Sequence, residues 1–172
     1  MSRNVILYIA TSLDGYIADK NGDVDWLHQF EGGSDFGYYD FYETIDTTVM
    51  GRKTYEHVLE LVDEFPYKDK TNYVFSKTQH EGNAHVQLTK ESPETFIREL
   101  KQQIGKDIWI VGGASLLKEF IAKDLIDEFK IFTMPILLGE GIPLFEAPLE
   151  EKKFSLREVK QHDDVVELIY HR

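Results

Sequence analysis

An α/β domain is the fold class this sequence predicts: three layers, with a mainly parallel central sheet, helices on both faces and an antiparallel C-terminal hairpin. Three observations predict it. Four short runs are continuously apolar, as strands covered on both faces are: "VILYIA" (5–10), "TTVM" (47–50), "NYVF" (72–75) and "IWIV" (108–111). Between them the apolar residues switch to helical spacing. Beyond residue 128 the helical spacing disappears and strand-like segments follow one another directly.

The elements follow in chain order. "VILYIA" is the first inner strand. Tyr38, Phe41, Tyr42 and Ile45 fall at i, i+3, i+4 and i+7 and define one face of a helix that leads into "TTVM". Tyr55, Val58, Leu59 and Val62 repeat the spacing and lead towards "NYVF". A third helix opens at "SPE", where Ser92 can accept from free backbone N–H groups and Pro93 suits the first helical position. Its expected end is near Gly105, and its expected contacts are Phe96, Ile97, Leu100 and Ile104. A fourth helix follows "IWIV" and carries Leu116, Leu117, Phe120 and Ile121. "FKIFTMPI" (129–136), "FSLREV" (154–159) and "VVELIY" (165–170) then predict an antiparallel end, with "KQHDD" as a hairpin turn. No repeat, linker or low-complexity tract divides residues 1–172, so one domain is expected.

Composition excludes several functions. With 19 basic and 31 acidic residues the formal charge is −12, which disfavours nucleic acid and anionic lipid surfaces as partners. The absence of cysteine rules out disulfides, a thiolate nucleophile and cysteine-ligated metal. His28, His57, His80, His85, His162 and His171 show no ligand spacing, so no metal is expected. The apolar stretch Val5 to Ala10 is too short to span a membrane and lacks a following cleavage-site pattern, which points to the cytoplasm. No Gly-x-Ser-x-Gly or Ser-His-Asp arrangement supports a hydrolase.

Chemistry in such sheets sits at the carboxyl ends of the strands. "VMGRKTYE" places Gly51, Arg52, Lys53 and Thr54 at such an end, where a helix starts. Unpaired N–H groups, the positive end of the helix dipole, a hydroxyl and two cations converge there, which suits a phosphate or pyrophosphate. "VGGAS", Val111 to Ser115, offers a second junction without charge. Its glycine pair serves either the close approach of a ligand or a tight turn. Asp35 follows "GGS" and is read either as a catalytic carboxylate or as the cap of the helix of Tyr38. Trp26 and Trp109 have packing as their ordinary role, Trp109 above all because it lies mid-strand.

"VMGRKTYE", "VFSKT" (74–78) and "IWIVGGASLLKEF" (108–120), in this order and spacing, resemble the cofactor-binding segments of dihydrofolate reductase. "SLDGYIA" (12–18) and "PILLGEGIPLF" (135–145) are similar to the reductase domain at the C-terminus of bacterial riboflavin-biosynthesis enzymes, the RibD C-terminal domain, which shares that fold. Nearly the whole chain is covered. The resemblance implies NADPH and hydride transfer to a ring C=N or imine-like carbon of a small heterocyclic substrate, without a metal. It places Gly51, Arg52, Lys53 and Thr54 on the pyrophosphate, with Arg52 near the adenosine 2′-phosphate. Ser76 and Lys77 fall at the adenosine end. Val111, Gly112, Gly113, Ala114 and Ser115 form the cradle, with a cis Gly112–Gly113 bond. Ala10 and Ile17 flank the nicotinamide, and Leu13 to Trp26 correspond to a mobile covering loop.

On the substrate side the resemblance puts Asp35 in place of the acidic residue that holds the pterin ring, Thr133 as its partner, and Phe36, Tyr39 and Trp26 around the ring. A buried Asp35 would have a raised pKa and relay a proton. Where the family has an arginine for the folate tail the chain has Lys70. Where the riboflavin enzymes carry additional phosphate-binding sequence it has "EGGSDFGYYDFYE". The expected function is therefore an NADPH-dependent reductase of a pteridine or of a riboflavin-precursor aminopyrimidine, similar to 5-amino-6-(5-phosphoribosylamino)uracil reductase. Dihydrofolate reductase activity and non-catalytic NADPH binding are the alternatives. The riboflavin branch also suggests a homodimer.

Overall fold

Apolar runs between helices become neighbouring parallel strands because each crossover helix returns the chain in its starting direction. The structure, a computed structural model, describes residues 2–30, 32–78 and 84–172. His80, one of the histidines considered above, lies outside them. The chain runs β1 (Val5–Thr11), β2 (Tyr16–Ala18), a 3-10 helix (Asp25–Phe30), α1 (Tyr38–Thr44), β3 (Ile45–Gly51), α2 (Arg52–Leu61), β4 (Thr71–Phe75) and β5 (Val86–Thr89). It continues with α3 (Pro93–Gln102), β6 (Asp107–Gly112), α4 (Ala114–Ala122), β7 (Glu128–Thr133), β8 (Ile142–Pro143), β9 (Ser155–His162) and β10 (Val165–His171).

Eight strands form one sheet in the order β5-β4-β3-β6-β1-β7-β10-β9, and β2 pairs with β8 apart from it. Side chains of β1 alternate between two apolar layers. Val5 and Leu7 join Phe96, Leu100, Leu117 and Phe120 of α3 and α4. Ile6 joins Phe41, Ile45, Met50 and Trp109 on the α1 side. Trp109 is thus a core residue, as its mid-strand position implies. Ser92 caps α3, its hydroxyl accepting from Thr95 N–H at 3.3 Å, with Pro93 in the first turn.

The C-terminal end differs in detail from the expectation of wholly antiparallel strands. β7 runs parallel to β1, because α4 returns the chain in the same sense, and β10 is the strand that opposes its neighbours β7 and β9. The turn shrinks to Asp163 and Asp164, since Lys160 to His162 continue β9. α3 stops at Gln102, where Gln103 turns extended, so Ile104 is fully exposed and makes none of the expected core contact. On α2, Tyr55 and Val58 pack on the sheet while Leu59 and Val62 face outward, because the helix ends at Leu61. The short strands β2, β5 and β8 carry too few residues for their periodicity to be read.

β2 and β8 are held by a close backbone approach. A Cβ on Gly141 would lie 2.2 Å from the carbonyl oxygen of Ala18, a position no side-chain rotation relieves. Gly141→Ala is expected to cost about 2 kcal/mol or more, the scale of overpacking against unyielding structure. Urea unfolding of the two proteins measures it, and equal midpoints would contradict this packing.

Candidate functional site

Two strand-to-helix junctions meet at the carboxyl edge of the sheet. Met50 of β3 lies opposite Gly112 of β6, so Gly51 and Gly113, the residues before α2 and α4, are neighbours. Neither helix start is capped by a side chain, which leaves the first-turn N–H groups of both turned to one place. The Gly112–Gly113 bond is cis, as the resemblance implies. A Cβ on Gly113 would come within 2.9 Å of Thr54 Oγ1, so the hydroxyl of one junction occupies the space the other leaves. Lys53 and Ser115 are exposed in the first turns of the same helices, and Ala114 and Val111 are half-buried beside them.

The end of β4 adds charge to this edge. Arg52 Nη1 donates to Thr78 Oγ1 at 2.8 Å, while its Nε donates to Glu56 at 2.6 Å. Arg52 is thereby held next to the exposed Lys77, one residue before Thr78. Ser76 points inward: it is buried and its hydroxyl donates to the Thr78 carbonyl at 2.9 Å. Its part is to shape the turn that presents Lys77.

The segment 12–18 is fastened rather than free-standing. Asp14 accepts from the Ser12 hydroxyl at 2.6 Å and from the N–H groups of Leu138 at 3.1 Å and Gly139 at 2.8 Å. The Ser12 bond, followed by the two backbone bonds, holds the Asp14 carboxyl below the usual range. "SLDGYIA" and "PILLGEGIPLF" are therefore one structural unit, which places Ile17 against the core under β1.

Next to Ala10 on the α1 side opens a cleft of about 200 Å³, lined by Tyr8, Phe36, Phe41, Lys130, His162 and Glu167 among others. Tyr8 stacks on Phe41 with ring centroids 4.2 Å apart and lies 4.7 Å from Phe132. Burial, then the Glu167 carboxylate, pushes the Tyr8 hydroxyl pKa far up, so it remains a neutral donor. Phe36 and Trp26 pack with Phe132, Met134 and Val165 around the cleft's inner wall.

Three substrate-side expectations are corrected. Asp35 is exposed, and its carboxylate accepts from the N–H groups of Tyr39 and Gly37, each at 3.1 Å. These bonds hold its pKa below the usual range, opposite to the rise expected from burial. Tyr39 is 70% exposed and its ring meets Tyr38 instead of the cleft. Thr133 pairs with Thr11 and, by strand alternation, shares the face of Ile131 rather than that of Phe132, away from Asp35. What sequence reasoning missed is Glu167 with His162 and Lys130. The signal was present: in "VVELIY" the glutamate alternates in phase with Val165 and Ile169, which are both buried.

The family model described as the RibD C-terminal domain matches residues 3–168. The chain belongs to this family. An uncharacterized protein of Bacillus subtilis (strain 168), YwjB, is 49% identical over 100% of this chain and 99% of its own length. A Shewanella sp. PV-4 protein, provisionally assigned to riboflavin biosynthesis, has a crystal structure that superposes with a TM-score of 0.89 at 37% identity, covering 100% of this chain and 99% of that one. Dihydrofolate reductase from Enterococcus faecalis, solved with NADP(H), shares the fold at a TM-score of 0.69 and 17% identity, with 100% and 99% of the two chains covered. The RibD C-terminal domain of this protein thus has a dihydrofolate reductase-like fold. Among the described residues no helix is long and apolar enough to cross a membrane.

Because the Asp35 pKa is lowered in the folded state, its bonds stabilise α1 above the unfolded carboxylate range, near pH 4, and lose that effect as pH falls through the folded pKa. Asp35→Ala is expected to lower the melting temperature at pH 7, with the difference from the parent closing in acid. Thermal melts over pH test this, and a difference that is constant in pH would contradict the capping role.

Proposed function

We propose that this RibD C-terminal domain protein is an NADPH-dependent reductase of a pyrimidine or pteridine-type heterocycle. The observation that carries the reading is the pair of uncapped helix starts at Gly51 and Gly113, set between the cations of Arg52 and Lys77 and an aromatic cleft. The residues fit a dinucleotide. Arg52, Lys53, Thr54, Ala114 and Ser115 surround a cradle that a Cβ at Gly113 would crowd against Thr54 Oγ1, and Ala10 lies towards the cleft while Ile17 packs on the opposite layer. NADPH, when bound, supplies the hydride. Tyr8, Phe36 and Phe41 provide flat apolar walls that hold a planar ring and exclude water. The dihydrofolate reductase that shares the fold, solved with NADP(H), supports the assignment.

A long acidic tail on the substrate is disfavoured. The Lys70 side chain is only 7% exposed, its ammonium sits 4.0 Å over the Tyr42 ring and it pairs with Asp69 at 3.2 Å. A cation so engaged is a poor anchor for a folate-type carboxylate, and a pyrimidine fits better.

Titrations with NADPH and NADH followed by cofactor fluorescence test the reading. NADPH is expected to bind about 10- to 100-fold tighter, the equivalent of one charge-assisted hydrogen bond, and Arg52→Ala or Lys77→Ala to reduce that preference. Equal affinities would remove the cofactor assignment. NADPH oxidation against pterins, dihydrofolate and the deaminated ribosylaminopyrimidine then selects the substrate, and binding without oxidation of any would favour a non-catalytic binder.

A second copy of the chain is the partner we propose. Among the described residues β9 ends the sheet with no strand beyond it, and its Leu156 and Val159 are exposed. Sedimentation velocity is expected to show a dimer for the parent and a monomer for Val159→Lys. A monomeric parent would remove this proposal.

A further inference from the structure

The cleft holds a titratable pair that neither the family resemblance nor the capping role of Asp35 explains. His162 Nε2 lies 2.8 Å from Glu167 Oε2, with side chains 20% and 6% exposed. Phe36 stands edge-on to the imidazole at 5.8 Å, and Phe132 lies 6.0 Å away at a tilt, so the ring has one fixed setting. It forms part of two adjoining cavities, the cleft above and a smaller one of about 130 Å³ between residues 33–36 and the β9–β10 turn. Glu167 is carried there by sheet register: it pairs with Phe132, which pairs with Ala10, so the three lie in one row across β1, β7 and β10. Two strand spacings, about 10 Å, separate Ala10 from Glu167, roughly the length of a bicyclic ring with its substituents.

We propose that His162 is the proton donor of this site and that Glu167 is its positioning residue, an inference that rests on the reductase reading. A buried carboxylate with one imidazole partner retains that partner's Nε2 proton, because a lone buried charge is costly. Nδ1 is then the nitrogen left to address the cleft. When the ring carbon of a C=N bond receives hydride, the ring nitrogen takes the Nδ1 proton: one imidazole N–H bond breaks and one ring N–H bond forms. Neutral imidazole regains a proton from water at its exposed edge. Other groups around His162 set its field. Lys160 lies on its own strand, Lys130 on β7 is paired with Glu128 at 3.3 Å, and the neutral Tyr8 is on β1. Asp40 on α1, Asp35 before it, and Asp163 and Asp164 in the turn are the acidic neighbours. Asp35 is engaged by backbone N–H groups and is not among the residues lining the cleft, whereas His162 is.

Two measurements test the pair. Proton–nitrogen NMR of the parent without ligand is expected to show a slowly exchanging, downfield Nε2–H signal from His162 that Glu167→Gln abolishes. Absence of that signal in the parent overturns the pairing whatever the turnover. In the second, turnover of NADPH with the best heterocycle of the panel is followed over pH. The parent is expected to lose rate on the alkaline side as its donor deprotonates, and His162→Gln to fall about 10²-fold and lose that alkaline limb while NADPH affinity and melting temperature stay unchanged. Glu167→Asp, which keeps an acceptor at shorter reach, is expected to retain more rate than Glu167→Gln. An alkaline limb that survives in His162→Gln, or that disappears in Asp35→Asn instead, overturns the assignment. A parent that neither binds nor oxidises NADPH fails the reductase reading itself, which separates that failure from this one.

Discussion

The pairing of β3 with β6 is the constraint on which the rest of the site depends. It joins two βα units whose helices lie on opposite faces of the sheet, and its register sets Met50 against Gly112. Two helix starts, each with unsatisfied N–H groups, are thereby placed side by side. Separately each would be an ordinary helix end hydrated by water; together they concentrate positive potential in a notch that side chains are kept out of. At Gly113 a Cβ is kept out by Thr54 Oγ1, whereas around Gly51 the nearest atoms, the Gly113 nitrogen among them, stand at ordinary contact distance. The same register delivers Arg52 to Thr78 across the next strand, so the charged end of the notch is built by the same hydrogen-bond ladder as its floor.

The other half of the cleft is assembled by aromatic packing and by a side chain acting on backbone. Tyr8 is the hub: it stacks on Phe41, tilts against Phe132 and meets Tyr38 and Trp109 edge-on. Rigid rings with few rotamers make a flat wall at low entropic cost. Asp14 supplies the corresponding order above Ile17, since one carboxylate accepts from two N–H groups of the turn after β7 and from its own neighbour Ser12. Backbone at a strand end that would otherwise need water is satisfied internally, and the position of the covering segment follows from it.

Charge is the less expected feature. The α1 face at β7, β10 and β9 carries Lys130, Glu167, Lys160 and His162 where a sheet normally presents apolar residues to its helix layer. Such groups are costly to bury without partners, and each has one: Lys130 pairs with Glu128 on its own strand, and His162 with Glu167 across the hairpin. A polar, partly buried lining beside aromatic walls suits a flat ring with hydrogen-bonding edges, which is the chemistry that heterocyclic substrates present.

What the sequence determined by itself were the features encoded locally. The apolar runs of β1, β3, β4 and β6, the facing residues Phe96, Ile97 and Leu100, the Ser92 cap and the two glycine-bearing junctions are all readable because periodicity, capping and turn chemistry act within a few residues. The fold class followed from their alternation. Tertiary structure alone decided which strands adjoin, and hence that Gly51 meets Gly113. It also decided that Ile104 falls past the helix end, that β7 is parallel to β1, and that Asp35 faces water while Glu167 does not. Asp35 beside Phe36 and Glu167 beside Leu168 are both acidic residues in apolar company; the strand phase that Glu167 shares with Val165 and Ile169 marks the face it lies on, but not the partner it finds there. Burial and charge partners come from non-local packing: the carboxylate of Asp35 finds N–H groups of its own helix, whereas that of Glu167 is covered by β9, β7 and α1 and finds His162 across the hairpin.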